Sequence, residues 1–313
     1  MKILFNDLKP QWDSIKDKAL YEINDLFETS DFINGKKVKF FEDEFCIWNK
    51  CKYSVGVSNG TDGLEIAARV LNLNNKIAIY IPANTFIATF TGMYKAYPNA
   101  DYFLIDCDSN YLMDIDRLEF VINNNHMDYD HSVVVPVHLY GASVDMVKLL
   151  KLKSKYNIYI IEDCSQAHGA ITNTNSNVGN DGDIGVFSLY PGKNLGAAGD
   201  AGIVVTNNKD YYNLLLSYRN LGMTKKYHHD FFSGNHRLDT IQAIILSNKL
   251  NYFDEWTNKR IHVAKKYNEL IVNSKILKPN LPNYCLKHVY HICLLYTSPS
   301  PRDRTRSRMP SSA

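Results

Sequence analysis

Lys193 stands in the run FSLYPGKNLGAAGDAG, a Gly-rich and almost uncharged turn between two apolar segments, Ile184 to Tyr190 and Ala201 to Val205. A lysine taken out of water holds its proton less tightly, and the free amine is then a nucleophile suited to Schiff-base formation. Thirty positions earlier, Asp163 leaves the apolar run Ile158-Tyr159-Ile160-Ile161. Pyridoxal phosphate (PLP) needs both groups: an amine to hold its aldehyde and a carboxylate to keep its pyridine nitrogen protonated as an electron sink. Either residue alone says little. Lysines in Gly-rich turns are mostly solvated, and an Asp at a strand end is often only a helix cap.

A third element, VGVSNGTDGLEIAARVL from Val55 to Leu71, gives the pair meaning. A short apolar strand, Tyr53 to Val57, enters Ser-Asn-Gly-Thr-Asp. A helix follows with Leu64, Ala67, Val70 and Leu71 at helical spacing. The start of such a helix offers unpaired N–H groups and a positive dipole end, a natural seat for a phosphate. Thr61 adds a hydroxyl, and Gly60 is expected to let the ligand approach the backbone. Ser188, five residues before Lys193, supplies a second hydroxyl for the same phosphate.

These residues need a scaffold that brings distant segments to one edge. Apolar strand-like runs at 77–81, 102–105, 133–137, 158–162, 184–190 and 201–206 alternate with helical patterns at 85–97, 116–123 and 144–156. Such alternation predicts a mostly parallel sheet covered by helices on both faces. Thr85, Asp163 and Lys193 then share the strand-end edge where open α/β sheets bind ligands. From Lys209 onward the pattern turns helical, at 209–221, 237–250 and 252–271.

Six ordered motifs, SNGTDG, IPANTFIAT, VPVHLYG, IEDCSQAHGA, FSLYPGKNLGAAGDAG and GNHRLDTIQAIILSNKL, resemble the DegT/DnrJ/EryC1/StrS family of nucleotide-sugar aminotransferases. The resemblance runs from Phe5 to about His291. It implies the fold-type I, aspartate aminotransferase-like architecture: an α/β fold with a mostly parallel seven-stranded sheet. A large PLP-binding domain over residues 1–250 would be followed by the start of a small, incomplete C-terminal domain over 251–293. The resemblance makes Lys193 the Schiff-base lysine and Asp163 the partner of the pyridine nitrogen. Gln166 would lie against the cofactor ring, Phe86 would stack on it, and Gly60, Thr61 and Ser188 would hold the phosphate. Asn235 matches a position that reaches the phosphate of a neighbouring subunit, implying a homodimer with shared sites. His168 and Tyr190 would line the substrate side. The family's sugar dehydratases carry histidine in place of this lysine, so Lys193 favours amino transfer.

Composition agrees. The chain has 313 residues, 45% of them hydrophobic, enough for a large core, and its net charge of +2 argues against nucleic acid as a partner. No apolar stretch approaches the roughly 20 residues a membrane span needs, and the N-terminus lacks a signal-peptide core. Six scattered cysteines without a CxxC pair suit a reduced, cytoplasmic setting and no metal centre. The final stretch, 294–313, has no apolar periodicity and carries four Arg and one Asp. It reads as a non-native extension, with HVYHICLL marking where the family would continue.

Substrate is read from the run Arg219 to Asp239, which resembles enzymes that aminate C3 of dTDP-3-keto-6-deoxyhexoses, with glutamate as amino donor. Lys225, Lys226, His228 and His229 would meet a nucleotide diphosphate, unless they are simply a solvated loop. Amination at C4 of a UDP- or GDP-linked 4-keto sugar is the alternative within the class. A catalytically inactive regulator or sugar-binding protein is the alternative outside it.

Overall fold

The inner strands of the central sheet have no polar face, because helices cover both sides. We describe this computed structural model over residues 7–278, 281–293 and 296–297. Its seven-stranded sheet comprises β1 (Tyr53–Val57), β2 (Ile77–Pro82), β3 (Asp101–Ile105), β4 (His131–Val134), β5 (Tyr159–Asp163), β6 (Ile184–Ser188) and β7 (Gly202–Thr206). The spatial order is β1-β7-β6-β5-β4-β2-β3. Contacts from β6 through β5, β4 and β2 to β3 are parallel, whereas β7 runs antiparallel to both neighbours. Apolar runs buried on both faces carry no sign of direction, so this single reversal is invisible in the sequence.

Alternate residues of each strand feed different cores. Ile77, Ile79 and Ile81 of β2, Val133 of β4, Val186 of β6 and Val204 of β7 join a cluster with Leu64, Ile66, Ala67, Met93 and Leu215. Those last five come from α3 (Gly60–Arg69), α4 (Ile87–Ala96) and α7 (Lys209–Arg219). The intervening residues Tyr80 and Val134 meet Leu118, Ile122, Leu149 and Leu152, from α5 (Ile115–Asn125) and α6 (Met146–Tyr156). Phe187, Ile203 and Val205 meet Val38, Phe41, Phe45, Leu246 and Phe253. These belong to α2 (Lys36–Asn49), α8 (Thr240–Leu250) and α9 (Phe253–Leu270). The period of two thus sorts one sheet into two helical layers, and fully burying each Leu or Ile contributes about 1.5–3 kcal/mol. A further helix, α1 (Lys9–Thr29), packs Ile15 and Ala19 against Ile245 of α8.

Where the sequence reading continued helix to 221, Leu221 and Gly222 both take positive φ, 60° and 68°, and end it. A short antiparallel hairpin of Met223–Lys225 and His228–His229 follows. Among the described residues all six cysteines are free, and no helix is long and apolar enough to cross a membrane. Tyr296–Thr297 pairs with Ile276–Leu277. The rest of the stretch read as a non-native tail lies outside the described residues.

Candidate active site

The C-terminal ends of β5 and β6 and the start of α3 surround a cavity of about 680 Å3. Its wall includes Gly60, Thr61, Phe86, Asp163, Gln166, Ser188, Tyr190 and Lys193. Eight residues singled out in the sequence therefore meet in one place.

Asp163 closes β5 and is only 4% exposed. A buried carboxylate must find donors. Thr89 donates its hydroxyl to Oδ2 at 2.8 Å, and the Ser165 N–H donates to Oδ1 at 3.1 Å. Thr85 shares a 2.8 Å hydrogen bond with Thr89, so the IPANTFIAT turn is tied to the aspartate. Glu162, one residue earlier, points to the opposite face, as strand alternation requires. It accepts from His138 Nε2 at 2.9 Å and from the N–H groups of Gly179, Asp181 and Gly182. Glu162, His138 and Cys164 come close enough to suggest a metal cluster. The carboxylate is already occupied by four donors, and burial holds the Cys164 thiol well above its usual range, which leaves a structural pin.

Lys193 lies in the turn after β6, with its N–H donating to the Tyr190 carbonyl at 2.8 Å. Burial lowers its amine pKa, and the Asp163 carboxylate works in the opposite direction. The loop is held from behind by Lys249 of α8, only 6% exposed, whose amine donates to the Gly196 carbonyl at 2.6 Å.

At the other end of the cavity, Asn59 caps α3 by accepting from the Asp62 N–H at 2.8 Å. Asp62 is desolvated, yet His236, Ser58 and Lys95 hold it well below the usual carboxylate range. The sequence reading assigned Gly60 to ligand approach. The structure gives a different reason: a Cβ there would come within 2.7 Å of the Ser188 Cβ. The missing side chain lets the end of β6 pack against the helix start, which brings Ser188 beside Thr61. As the first residues of α3, Gly60 and Thr61 have N–H groups with no intrahelical partner. A phosphate fits there, and a pyridine ring would span towards Asp163, so the residues present suit PLP.

One expectation is corrected, and three further residues lie off the cavity wall of their own chain. His168 does not line the cavity. It is fully buried, packs on Phe187 with ring centroids 5.3 Å apart, and has no hydrogen-bond partner for either ring nitrogen among the described residues. Burial and the nearby Lys193 push its pKa down to about 3. Lys225 and His229 sit on the exposed hairpin, away from the cavity wall. Asn235 lines an adjoining recess of about 460 Å3 with Arg237, Asp239 and Gln242, which shares Asn59 and Asp200 with the main cavity.

The sequence reading also missed residues. Thr89 could have been found, since it sits one helical turn after Thr85. His291 could not. It lies 98 positions beyond Lys193 and joins the cavity wall because 289–292 docks on the Tyr140–Gly141 turn.

Lysine and buried carboxylate facing one cavity at the edge of this sheet define a class, the PLP-dependent enzymes of aspartate aminotransferase-like fold. Comparison with known proteins narrows it. The profile of the DegT/DnrJ/EryC1/StrS aminotransferase family matches residues 13–310. The dTDP-3-amino-3,6-dideoxy-alpha-D-galactopyranose transaminase of Aneurinibacillus thermoaerophilus is 38% identical over 271 residues, covering 86% of this chain and 72% of that protein. The UDP-N-acetyl-3-dehydro-alpha-D-glucosamine 3-aminotransferase of Acidithiobacillus ferrooxidans is 35% identical over 287 residues, covering 91% and 75%. The crystal structure of S. venezuelae DesV in complex with a ketimine intermediate matches with a TM-score of 0.88 at 30% identity, covering 98% of this chain and 80% of that one. The chain belongs to the DegT/DnrJ/EryC1/StrS family, and it is a PLP-dependent aminotransferase.

Proposed function

We propose that this aminotransferase moves an amino group from glutamate to C3 of a dTDP-linked 3-keto-6-deoxyhexose, in the cytoplasm, for surface polysaccharide assembly. The observation that carries the ring position is that both relatives above are named for amination at C3, although one acts on a dTDP sugar and the other on a UDP sugar. When bound, the cofactor supplies an aldehyde for the amine and a protonated ring into which negative charge can spread.

The chain's residues then divide the work. Lys193 is the amine that holds the cofactor and, once released, moves the proton of the substrate carbon. Desolvation lowers its pKa, against the pull of the Asp163 carboxylate, so the amine gives up its proton more readily than a solvated lysine does. Asp163 keeps the ring nitrogen protonated, and Thr89 and the Ser165 N–H hold the carboxylate in place. Gly60, Thr61 and Ser188 bind the phosphate, with Gln166 and Phe86 against the ring. The Gln166 side-chain oxygen accepts from the Tyr140 N–H at 2.8 Å, which fixes its orientation. Tyr190 borders the substrate side.

The working unit in this reading is a homodimer in which the neighbour's Asn235 completes each site. Its position in a recess beside the cavity, rather than on the cavity wall, supports that reading. Mixing inactive Lys193→Ala and Asn235→Ala chains should restore activity, and mixed dimers without recovery would defeat it. Residues 251–293 are proposed as the start of a second, smaller domain.

The substrate is tested by incubating the chain with PLP, L-glutamate and a panel of keto-sugars. The panel holds dTDP-3-keto-6-deoxyhexose, dTDP-4-keto-6-deoxyhexose, the UDP-linked 3-keto-N-acetylhexosamine and a GDP-linked 4-keto sugar. Mass and NMR of the products should show a new amine at C3 of the dTDP sugar. An amine at C4, or product only from UDP or GDP sugars, would overturn the assignment.

A further inference from the structure

Asn194 follows Lys193 directly and is 4% exposed. Its side-chain nitrogen donates to the Val289 carbonyl at 3.2 Å. That contact fixes which way the amide faces, so its oxygen is the atom that meets His291 Nδ1 at 2.9 Å. An amide oxygen can only accept, and Nδ1 must therefore carry the proton. In a neutral imidazole the other nitrogen, Nε2, is then an acceptor. His291 is neutral: burial, Lys193 and Arg260 together push its pKa down to about 3.

The backbone carrying this ring is clipped in place. The Val289 N–H donates to the Gly141 carbonyl at 2.8 Å. Gly141 takes φ +104°, and a Cβ there would approach the Tyr290 nitrogen to 2.7 Å and the His291 nitrogen to 2.8 Å. Only glycine tolerates both the turn and the docking. His291 is thus a rigid part of the cavity wall that contains Lys193 and Tyr190.

We propose that His291 is a specificity residue whose Nε2 accepts a hydrogen bond from an O–H or N–H donor on the sugar ring of the nucleotide-linked substrate, with Asn194 as the residue that positions it. The inference rests on the nucleotide-sugar reading above. A neutral acceptor offers nothing to a diphosphate or carboxylate, whose oxygens are themselves acceptors. The ligand group it selects is a hydroxyl or an amide N–H of the hexose.

The test uses the PLP-loaded chain and calorimetric binding of four probes: dTDP-glucose and UDP-N-acetylglucosamine, each compared with the free nucleotide, dTDP or UDP. His291→Phe removes the acceptor. His291→Gln keeps an oxygen or nitrogen near the Nε2 position. Asn194→Leu leaves the ring but frees it. The sugar nucleotide that binds wild type better should bind His291→Phe roughly 3–10-fold more weakly, the range of one net hydrogen bond. His291→Gln should recover part of that loss, and Asn194→Leu should lie between. Free nucleotide affinity should stay within about twofold, since a neutral acceptor offers nothing to the diphosphate, and borohydride should still trap cofactor at Lys193. Equal weakening of free dTDP or UDP would overturn the proposal by assigning His291 to the nucleotide. Unchanged sugar-nucleotide binding in His291→Phe would overturn it as well. Failure of the wild type to bind any sugar nucleotide would instead overturn the substrate reading, and this proposal with it.

Discussion

Two regions of the molecule carry dense polar side chains and treat them in opposite ways. Around the end of β5, Asp163 takes donors from Thr89 and Ser165, and Glu162 takes four more, all in buried surroundings. On the hairpin of 223–229, Lys225, Lys226, His228 and His229 face solvent. There the side-chain contacts are local: His229 Nδ1 with the Leu221 carbonyl at 2.9 Å, and Lys226 above the ring of its neighbour Tyr227. In a low-dielectric site a held carboxylate costs no reorganisation when charge develops, and its effect is large. Exposed cations on a loop are screened and lose entropy when they order, so each contributes little. The contrast separates residues that define the chemistry from residues that can only adjust it.

The sharpest way to break the comparison is at Lys193. Lys193→Ala should lower turnover by at least about 10³-fold, in keeping with loss of nucleophile and proton carrier together. Borohydride should no longer trap cofactor on the chain, while the phosphate seat at Gly60, Thr61 and Ser188 still binds it weakly. Undiminished trapping, read by peptide mass, would move the attachment to another lysine. The buried Lys249, with its amine pKa lowered to about 8 by burial, is the first alternative to check.

Asp163→Asn comes next. It keeps the size of the side chain and removes the charge that would hold the ring nitrogen protonated. The rate should fall by roughly 10²–10³-fold, the scale of a lost preorganised electrostatic contact, with little change in folding stability by calorimetry. A mutant rate within a fewfold of wild type would show that another group governs the nitrogen.

A smaller effect is expected at Gly60, where sequence and structure assign different reasons to one residue. If the glycine serves β6 packing, Gly60→Ala must push its methyl into Ser188 and cost about 1–3 kcal/mol of stability. Cofactor affinity should fall with it, because Ser188 moves. A variant with native stability and weakened cofactor binding would restore the ligand-approach reading.

How much could be read in advance follows the same division. The strand–helix alternation from Tyr53 to Thr206 was legible because period two and period 3.6 are written in side-chain polarity. Six of the seven strands both begin and end within two residues of the expected places, and Asp163, Lys193, Thr61 and Ser188 converge as strand ends must in such a sheet. The reversal of β7 was not legible, since burial on both faces erases direction. Helices α1 and α2 were overlooked although Val38, Phe41 and Phe45 repeat at helical spacing. His168 was misplaced because a motif fixes proximity to the cavity and leaves open which face of the chain turns towards it. His291 depends on a glycine turn 150 positions upstream, a relation no local pattern contains.

The least effect is expected from the hairpin, and it bears most directly on the comparison. Lys225→Ala and His229→Ala, singly or together, remove polar side chains, the lysine's charge among them, that lie outside the cavity wall of their own chain. An exposed charge pair contributes about 0.2–1 kcal/mol, so the keto-sugar KM should rise by no more than roughly twofold to fivefold, and kcat should hold. Salt separates a screened charge from a buried one. If the hairpin only steers an anionic substrate through its lysine charge, the difference between wild type and the double variant should vanish as ionic strength rises from about 0.05 to 0.5 M, where the screening length falls below 5 Å or so. A loss of tenfold or more that persists in high salt would mean that the hairpin is buried against substrate in the working assembly. Because the hairpin lies off its own chain's cavity, that substrate would sit in a neighbouring copy's site. The same double variant should then fail to be complemented by the Asn235→Ala chain, since both changes would strip one chain's contribution to its neighbour and leave no intact donor in the mixture.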